Sequence, residues 1–532
     1  MMRSLITLVG LVLATLLLHL VLIQPNHPGA MTWQALLLFP LELPVIILLL
    51  VALPSRAALT IAVRVLLVAF LVVMAVLKSA DVALFTAFNR PFNPLVDLNL
   101  IEAGIRLLAG TIGTLQTSLV VVGAIIAPFV LAAALWWATG QWAHIALPLS
   151  FRALAGFAAV IAAGVAVAEI GEARGRWTLP VEPPGAAFTA RVALERTTTY
   201  NRLFTQLSEF RQAAAQDPFA DVERPLDALG GRDTVFVFVE SYGRASFDNS
   251  LYSQTHLATL GTAESKLEQA GVEARSGWLT APISGGQSWL AHGTLASGMR
   301  TSNQALYTAM LASGRKTLWD YAAAAGYETA AVMPAITLPW PEADLLGFEH
   351  VYPAKNLGYR GEPFNWVTMP DQFTLTAFDR LFEDQQSPLF AQIALISSHA
   401  PWVPVPELIA WEAVGDGTVF NAVAKSGDPP SVVWRDPDRI RDQYRLSIDY
   451  SLETIFDYVA RSPQSKDRLT IILGDHPPTI MVAGIEGYDI PIHIVGPEDL
   501  INATDDWQWT EGLIPGSDVD ALADGVVSRP VS

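Results

Sequence analysis

Leu469-Thr470-Ile471-Ile472-Leu473-Gly474-Asp475-His476-Pro477-Pro478 decides how this chain is read. A short, β-branched apolar run closed by turn residues predicts a buried strand. An Asp-His pair at the C-terminal end of such a strand stands where open α/β sheets bind their ligands. Carboxylate oxygen and imidazole nitrogen are donors that suit zinc or manganese. Far upstream, Thr234-Val235-Phe236-Val237-Phe238-Val239 has the same design and is followed by Glu240. An all-apolar strand belongs to a sheet covered on both faces. A carboxylate directly behind it needs a partner. If both strands are central and parallel, Glu240 converges with Asp475 and His476, and these three residues are the predicted metal ligands.

Outward from these strands, apolar runs at 328–333, 390–396 and 491–495 alternate with helical patterns. The helices are expected near 255–271, 288–298, 316–325, 370–384 and 436–461. Strand and helix in alternation predict a doubly wound, mostly parallel sheet with helices on both faces. This α/β domain is placed at 232–500, with a C-terminal tail at 501–532. A helical connector occupies 171–231, broken early by Pro180, Pro183, Pro184 and Gly185 and helical from Thr189 to Ala215.

The first third is different. The chain of 532 residues is 52% hydrophobic and only 16% charged, and the apolar excess sits before residue 170. Stretches at 4–23, 35–53, 58–77, 116–137 and 153–169 are long enough to span a bilayer. Residues 1–170 are therefore expected to form a membrane region of five transmembrane helices. With Arg3, Arg56, Arg64 and Arg152 inside, an odd number of spans puts the C-terminal two thirds outside the cytoplasm. The absence of cysteine removes disulfide and thiol chemistry, and the net charge of −18 argues against nucleic acid as a partner.

Three polar constellations lie between the two metal strands. Ser284-Gly285-Gly286-Gln287-Ser288 is a Gly-rich turn opening a helix, whose backbone N–H groups and dipole favour an anion. A hydroxyl there is open to activation by a neighbouring metal, and Ser288 also reads as an ordinary N-cap. Ser398-His399-Ala400-Pro401 follows the 390–396 run and offers an imidazole to a charged substrate oxygen. Leu338-Pro339-Trp340-Pro341-Glu342 is a rigid loop whose Trp340 reads either as packing or as a substrate wall.

Taken together, the chain resembles the sulfatase-like branch of the alkaline phosphatase superfamily. It is most similar to its membrane phosphoglycerol transferases, of the lipoteichoic acid synthase and periplasmic glucan types. The resemblance rests on Glu240, Gly285-Gly286-Gln287-Ser288, Ser398-His399-Ala400-Pro401 and Gly474-Asp475-His476. It implies an alkaline phosphatase-like fold with a divalent metal, manganese, zinc or magnesium, held by Glu240, Asp475, His476 and the nucleophile oxygen. It also implies substrate binding by His399 and Trp340. Two departures stand out. The family nucleophile is usually threonine, and the matching place here is Gln287 with Ser288 beside it. A basic residue two after the tryptophan is replaced by Glu342. The lack of cysteine and of a Ser-x-Pro-x-Arg motif argues against formylglycine sulfatase chemistry.

The expected function is thus a metal-dependent transfer of a phosphoglycerol-like phosphoryl group. Its expected place is a bacterial inner (plasma) membrane, with the catalytic domain facing the periplasm. Ser288 is the expected nucleophile, and a membrane lipid head group or an envelope glycan is the expected substrate. Gln287 is expected at the substrate side. The alternatives are an ester hydrolase of the same fold and a non-catalytic lipid- or glycan-binding relative.

Overall fold

The computed structural model describes residues 2–55, 57–88 and 90–516, which fold as two units, Met1–Gln206 and Leu207–Ser532. The boundary falls inside the connector helix, at neither of the positions that composition alone had marked. Arg56 lies outside the described residues, as do the side chain of Arg3 and the tail from 517 onward.

The first unit is helical. Its elements are α1 (Met2–Ile23), α2 (Glu42–Ala52), α3 (Ala58–Phe88), α4 (Asn99–Ile112), α5 (Thr114–Ala143), α6 (Leu149–Ala173) and the connector α7 (Phe188–Ala214). Among the described residues, four helices are long and apolar enough to cross a membrane: α1, α3, α5 and α6. The expectation of a spanning helix at 35–53 is corrected. That segment is a short 3-10 turn followed by α2, a helix of 11 residues. Prolines at 40, 44 and 54 confine it. At about 1.5 Å per residue it rises about 16 Å, well short of a hydrocarbon core of about 30 Å.

α2 nevertheless reverses the direction of the chain within the bundle. Lys78 Nζ, late in α3, donates to Leu22 O at the end of α1 (3.1 Å) and to Thr189 Oγ1 at the start of α7 (2.8 Å). At the same end, Glu42 opens α2 and accepts from Ala190 N (2.9 Å), and Glu169, late in α6, accepts from Ala187 N (3.2 Å). At the opposite end, Arg152 of α6 donates to Ala52 O, which closes α2 (3.1 Å). The chain therefore alternates direction through α1, α2, α3, α5 and α6, and α7 starts at the end opposite the beginning of α1.

The second unit is built on an eight-stranded sheet. Its strands are β1 (Thr234–Val239), β2 (Glu273–Thr280), β3 (Glu328–Met333), β4 (His350–Pro353), β5 (Leu389–Ala394), β6 (Leu469–Gly474), β7 (Asp489–Gly496) and β8 (Thr510–Glu511). Their spatial order is β4-β3-β5-β1-β6-β7-β2-β8. β4, β3, β5, β1 and β6 are mutually parallel, whereas β7 pairs antiparallel with both β6 and β2. The five predicted strands are present, and all six residues of β1 are buried, as a strand covered on both faces requires. Residues 501–516, expected to be tail, instead complete this unit: β8 pairs with β2, and Trp278 Nε1 donates to Gly516 O (2.7 Å).

Register positions the site. Val239 of β1 lies beside Gly474 of β6, so Glu240 and Asp475 leave the sheet side by side at its C-terminal edge. Gly474 is obligatory here, because a Cβ at this position would come within 1.9 Å of Tyr242 O.

Candidate metal centre

Asp475 and His476 are aimed by hydrogen bonds that leave one donor atom of each free. Asp475 Oδ1 accepts from Ser241 N (2.8 Å) and His476 N (2.7 Å), while Oδ2 faces His476 Nε2 at 3.7 Å. His476 Nδ1 lies 2.9 Å from Pro477 O, which can only accept. That bond fixes the proton on Nδ1 and leaves Nε2 as a ligand atom. Nε2 is 3.3 Å from Glu240 Oε1. One donor atom from each of Glu240, Asp475 and His476 lies within 4.8 Å of the other two.

The electrostatics call for a cation. Burial raises the Asp475 pKa, and the Glu240 charge beside it raises it further. Burial alone would lower His476, but the charges of Asp475 and Glu240 reverse this and raise it. Glu240 is lowered, because His476 and then His399 outweigh its own burial. Two carboxylates thus bracket one imidazole in a dry pocket, an arrangement that costs desolvation without full compensation. A divalent ion with O/O/N ligands would supply the missing charge, and the donor set fits one.

Ser288 is the first residue of the helix Ser288–Ser297, behind Gln287 in the left-handed region (φ 70°). Gly285 (φ 80°) and Gly286 (φ 135°) make the tight turn, which is fastened to the metal loop by Gly285 N donating to Pro477 O (2.9 Å). The Ser288 hydroxyl donates to Glu240 Oε2 (3.0 Å) and lies 3.3 Å from His476 Nε2. Gln287 stands outside the helix as its cap residue, and its side chain makes no capping bond. Thr294 is spent on Leu290 O (2.8 Å) and Thr301 (2.9 Å).

The second histidine loop reaches the same edge. Ser398 Oγ donates to Glu240 O (2.6 Å), and His399 is close enough for its charge to act on Glu240. Its Nδ1 is engaged by Ala400 O (2.5 Å), so Nε2 is the atom left for a substrate. Trp340, by contrast, is half-buried against Phe348 with ring centroids 6.0 Å apart.

Two supporting devices escaped the sequence reading. Tyr242, two residues past Glu240, donates its hydroxyl to His493 Nε2 (3.1 Å). Ser276 Oγ is 2.7 Å from His493 Nδ1 and donates to Gly512 O (2.7 Å), so the imidazole proton must sit on Nδ1. Burial pushes His493 down to about 3, consistent with a neutral ring in this chain. Tyr444 Oη donates to Ser241 O (3.0 Å), and together these bonds hold Ser241 in its strained conformation (φ 59°).

The other device is Asp371. Its Oδ1 accepts from Ile396 N and Ser397 N (both 2.8 Å), and its Oδ2 from Ser451 Oγ (2.6 Å). This fully buried carboxylate shapes the backbone that leads to His399. Burial outweighs these bonds and raises its pKa above the ordinary 3.8. The folded state therefore binds the proton more tightly, and stability falls as pH rises from that value through the raised one. Asp371→Asn should flatten this slope in denaturant melts. Asp371→Ala, which orphans two amides and a hydroxyl, should cost about 3 kcal/mol or more.

With this geometry in place, likeness to known proteins is informative. Residues 232–495 match the Sulfatase family model, and Glu240, Asp475 and His476 all fall within the matched stretch. No curated protein sequence matches the chain. Among solved structures, the chain is similar to lipooligosaccharide phosphoethanolamine transferase A (EptA) of Neisseria meningitidis. They share 13% identity over 94% of this chain and 89% of that one, with a TM-score of 0.43. Lipoteichoic acid synthase LtaP of Listeria monocytogenes is 15% identical over 52% of this chain and 71% of its own, with a TM-score of 0.34. Phosphoglycerol transferase GacH of Streptococcus pyogenes is 13% identical over 55% and 74%, with a TM-score of 0.33.

Proposed function

We propose that this chain is a membrane-anchored, metal-dependent phosphoryl-group transferase acting outside the cytoplasm. Its substrate would be a phosphodiester of the phosphoglycerol type, drawn from a lipid head group or an envelope glycan. Its place would be a bacterial inner membrane, with the sulfatase-family domain on the periplasmic side. One observation carries the reading: a serine hydroxyl at a helix start directed into a buried Glu-Asp-His cluster. The domain division follows the same reading, with the membrane region before residue 170 and catalysis within 232–500.

A divalent ion held by Glu240, Asp475 and His476 would lower the pKa of a nearby hydroxyl and offset phosphate charge. Ser288 Oγ, already hydrogen-bonded to Glu240, forms a bond to phosphorus as the bond to the donor alcohol breaks, and its proton ends on the departing alcohol. The N-terminal amides of the helix Ser288–Ser297 face the developing negative charge. His399 contacts a phosphate oxygen through Nε2, Gln287 borders the substrate, and Trp340 forms a wall of the pocket. The phosphoserine ester then passes its group to an acceptor alcohol, restoring the hydroxyl. Water as acceptor would make the same site a hydrolase.

The test is turnover of a chromogenic phosphodiester by the full chain in detergent. Chelator-stripped protein should be inactive, and activity should return with about one equivalent of manganese or zinc per chain. Undiminished turnover by protein shown to be metal-free would contradict the reading.

A further inference from the structure

α4 carries an apolar stripe that none of the described residues of its own unit buries. Leu98, Ile101, Ile105, Leu108 and Ile112 recur at steps of three and four residues, one face of a helix. All five are exposed, Ile101 at 51% and Ile112 at 41%. Glu102 and Arg106 form an ion pair one turn apart and off the stripe.

The ends of α4 fix its level in the bundle. Asp97, just before it, pairs with Arg90 (2.7 Å) and accepts from Asn93 N (2.7 Å). The same loop is tied to α3 by Phe92 N donating to Asp81 Oδ1 (2.9 Å), and to α7 by Arg196 Nη1 donating to Phe92 O (2.8 Å). α4 therefore begins at the end of the bundle from which α7 departs. A single residue, Gly113 (φ 90°), separates its last turn from α5, a helix long and apolar enough to cross a membrane. A helix of 14 residues rises about 21 Å, too little to cross a hydrocarbon core of about 30 Å. Suspended between the exit of one crossing helix and the entry of the next, it is held at a membrane boundary.

We propose that α4 is an in-plane membrane helix, its stripe seated at the head-group–acyl boundary of the leaflet at the α7 end. Its partner is the lipid bilayer itself. The Glu102–Arg106 pair is neutral overall, and α4 lacks the lysine- and arginine-rich face of helices that select anionic lipid. Burial of the stripe, not charge, holds it, so its seating is independent of anionic lipid and of salt.

The chain has no cysteine, so a single introduced cysteine carries a spin label at one defined place. Ile101→Cys, Ile105→Cys, Leu108→Cys, Glu102→Cys and Arg106→Cys would be labelled in the full chain reconstituted into phosphatidylcholine vesicles. Labels at 101, 105 and 108 should collide with oxygen several-fold more often than with a water-soluble nickel chelate, and labels at 102 and 106 should show the reverse. The pattern should persist at high salt and with added phosphatidylglycerol. Stripe labels as open to nickel as the polar ones would overturn the proposal. So would stripe labels shielded from both reagents, the signature of a protein partner such as a second copy. Loss of the pattern in high salt would overturn the charge-independent seating.

Discussion

Ser288→Ala is expected to lower phosphodiester turnover by at least about a thousandfold while leaving folding and metal content unchanged. The size follows from the role: no other described hydroxyl in this loop is hydrogen-bonded to Glu240 and His476 together. The fold should tolerate the change. The helix cap is Gln287, whose side chain makes no capping bond, and alanine is favourable in a first helical turn. Metal should remain because backbone groups orient Asp475 and His476, and the place of Glu240 at the end of β1 does not depend on its bond to Ser288. Ser284→Ala should behave like the unaltered protein. An active Ser288→Ala beside a dead Ser284→Ala would move the nucleophile four residues upstream. Full activity in both would favour a non-catalytic binding role for the fold.

Asp475→Asn should weaken metal binding by more than about a hundredfold, since loss of a mere outer partner of a ligand already costs 10–100-fold. Asparagine can keep Oδ1 as acceptor for Ser241 N and His476 N, so the turn survives. Its amide nitrogen then replaces the oxygen that faces His476, putting a donor where the site needs a ligand. The metal-free variant should melt no lower than the metal-free parent, because a buried carboxylate next to Glu240 has been neutralised. Titration calorimetry with manganese and thermal melts separate the two effects. Unchanged affinity would remove Asp475 from the ligand set.

The two metal strands were legible because each is an unbroken apolar run with its ligand at the C-terminal end, and parallel pairing then makes convergence a matter of register. β2 was not legible: Glu273-Ala274-Arg275-Ser276-Gly277-Trp278-Leu279-Thr280 has no apolar run, and it is a strand because β7 and β8 pair with it. The reversed direction of β7 is invisible for the opposite reason, since an apolar run carries no sign of which way its neighbours point. α2 was overestimated because composition counts leucines and isoleucines but not the proline spacing that shortens the helix. Asp371 and the Tyr242–His493–Ser276 chain were hidden by distance along the sequence. His493 lies 251 positions from Tyr242, and only the folded sheet brings the two together.

The central claim is that Ser288 receives the phosphoryl group. The most direct measurement is peptide mass mapping of the full, metal-loaded chain after brief reaction with a phosphodiester and acid quench. A phosphoryl-ester mass increment localised to Ser288, and absent when metal is withheld, is the predicted result. Turnover with the increment on Ser284 or another hydroxyl, or rapid turnover with no covalent increment on the chain at any quench time, would contradict it.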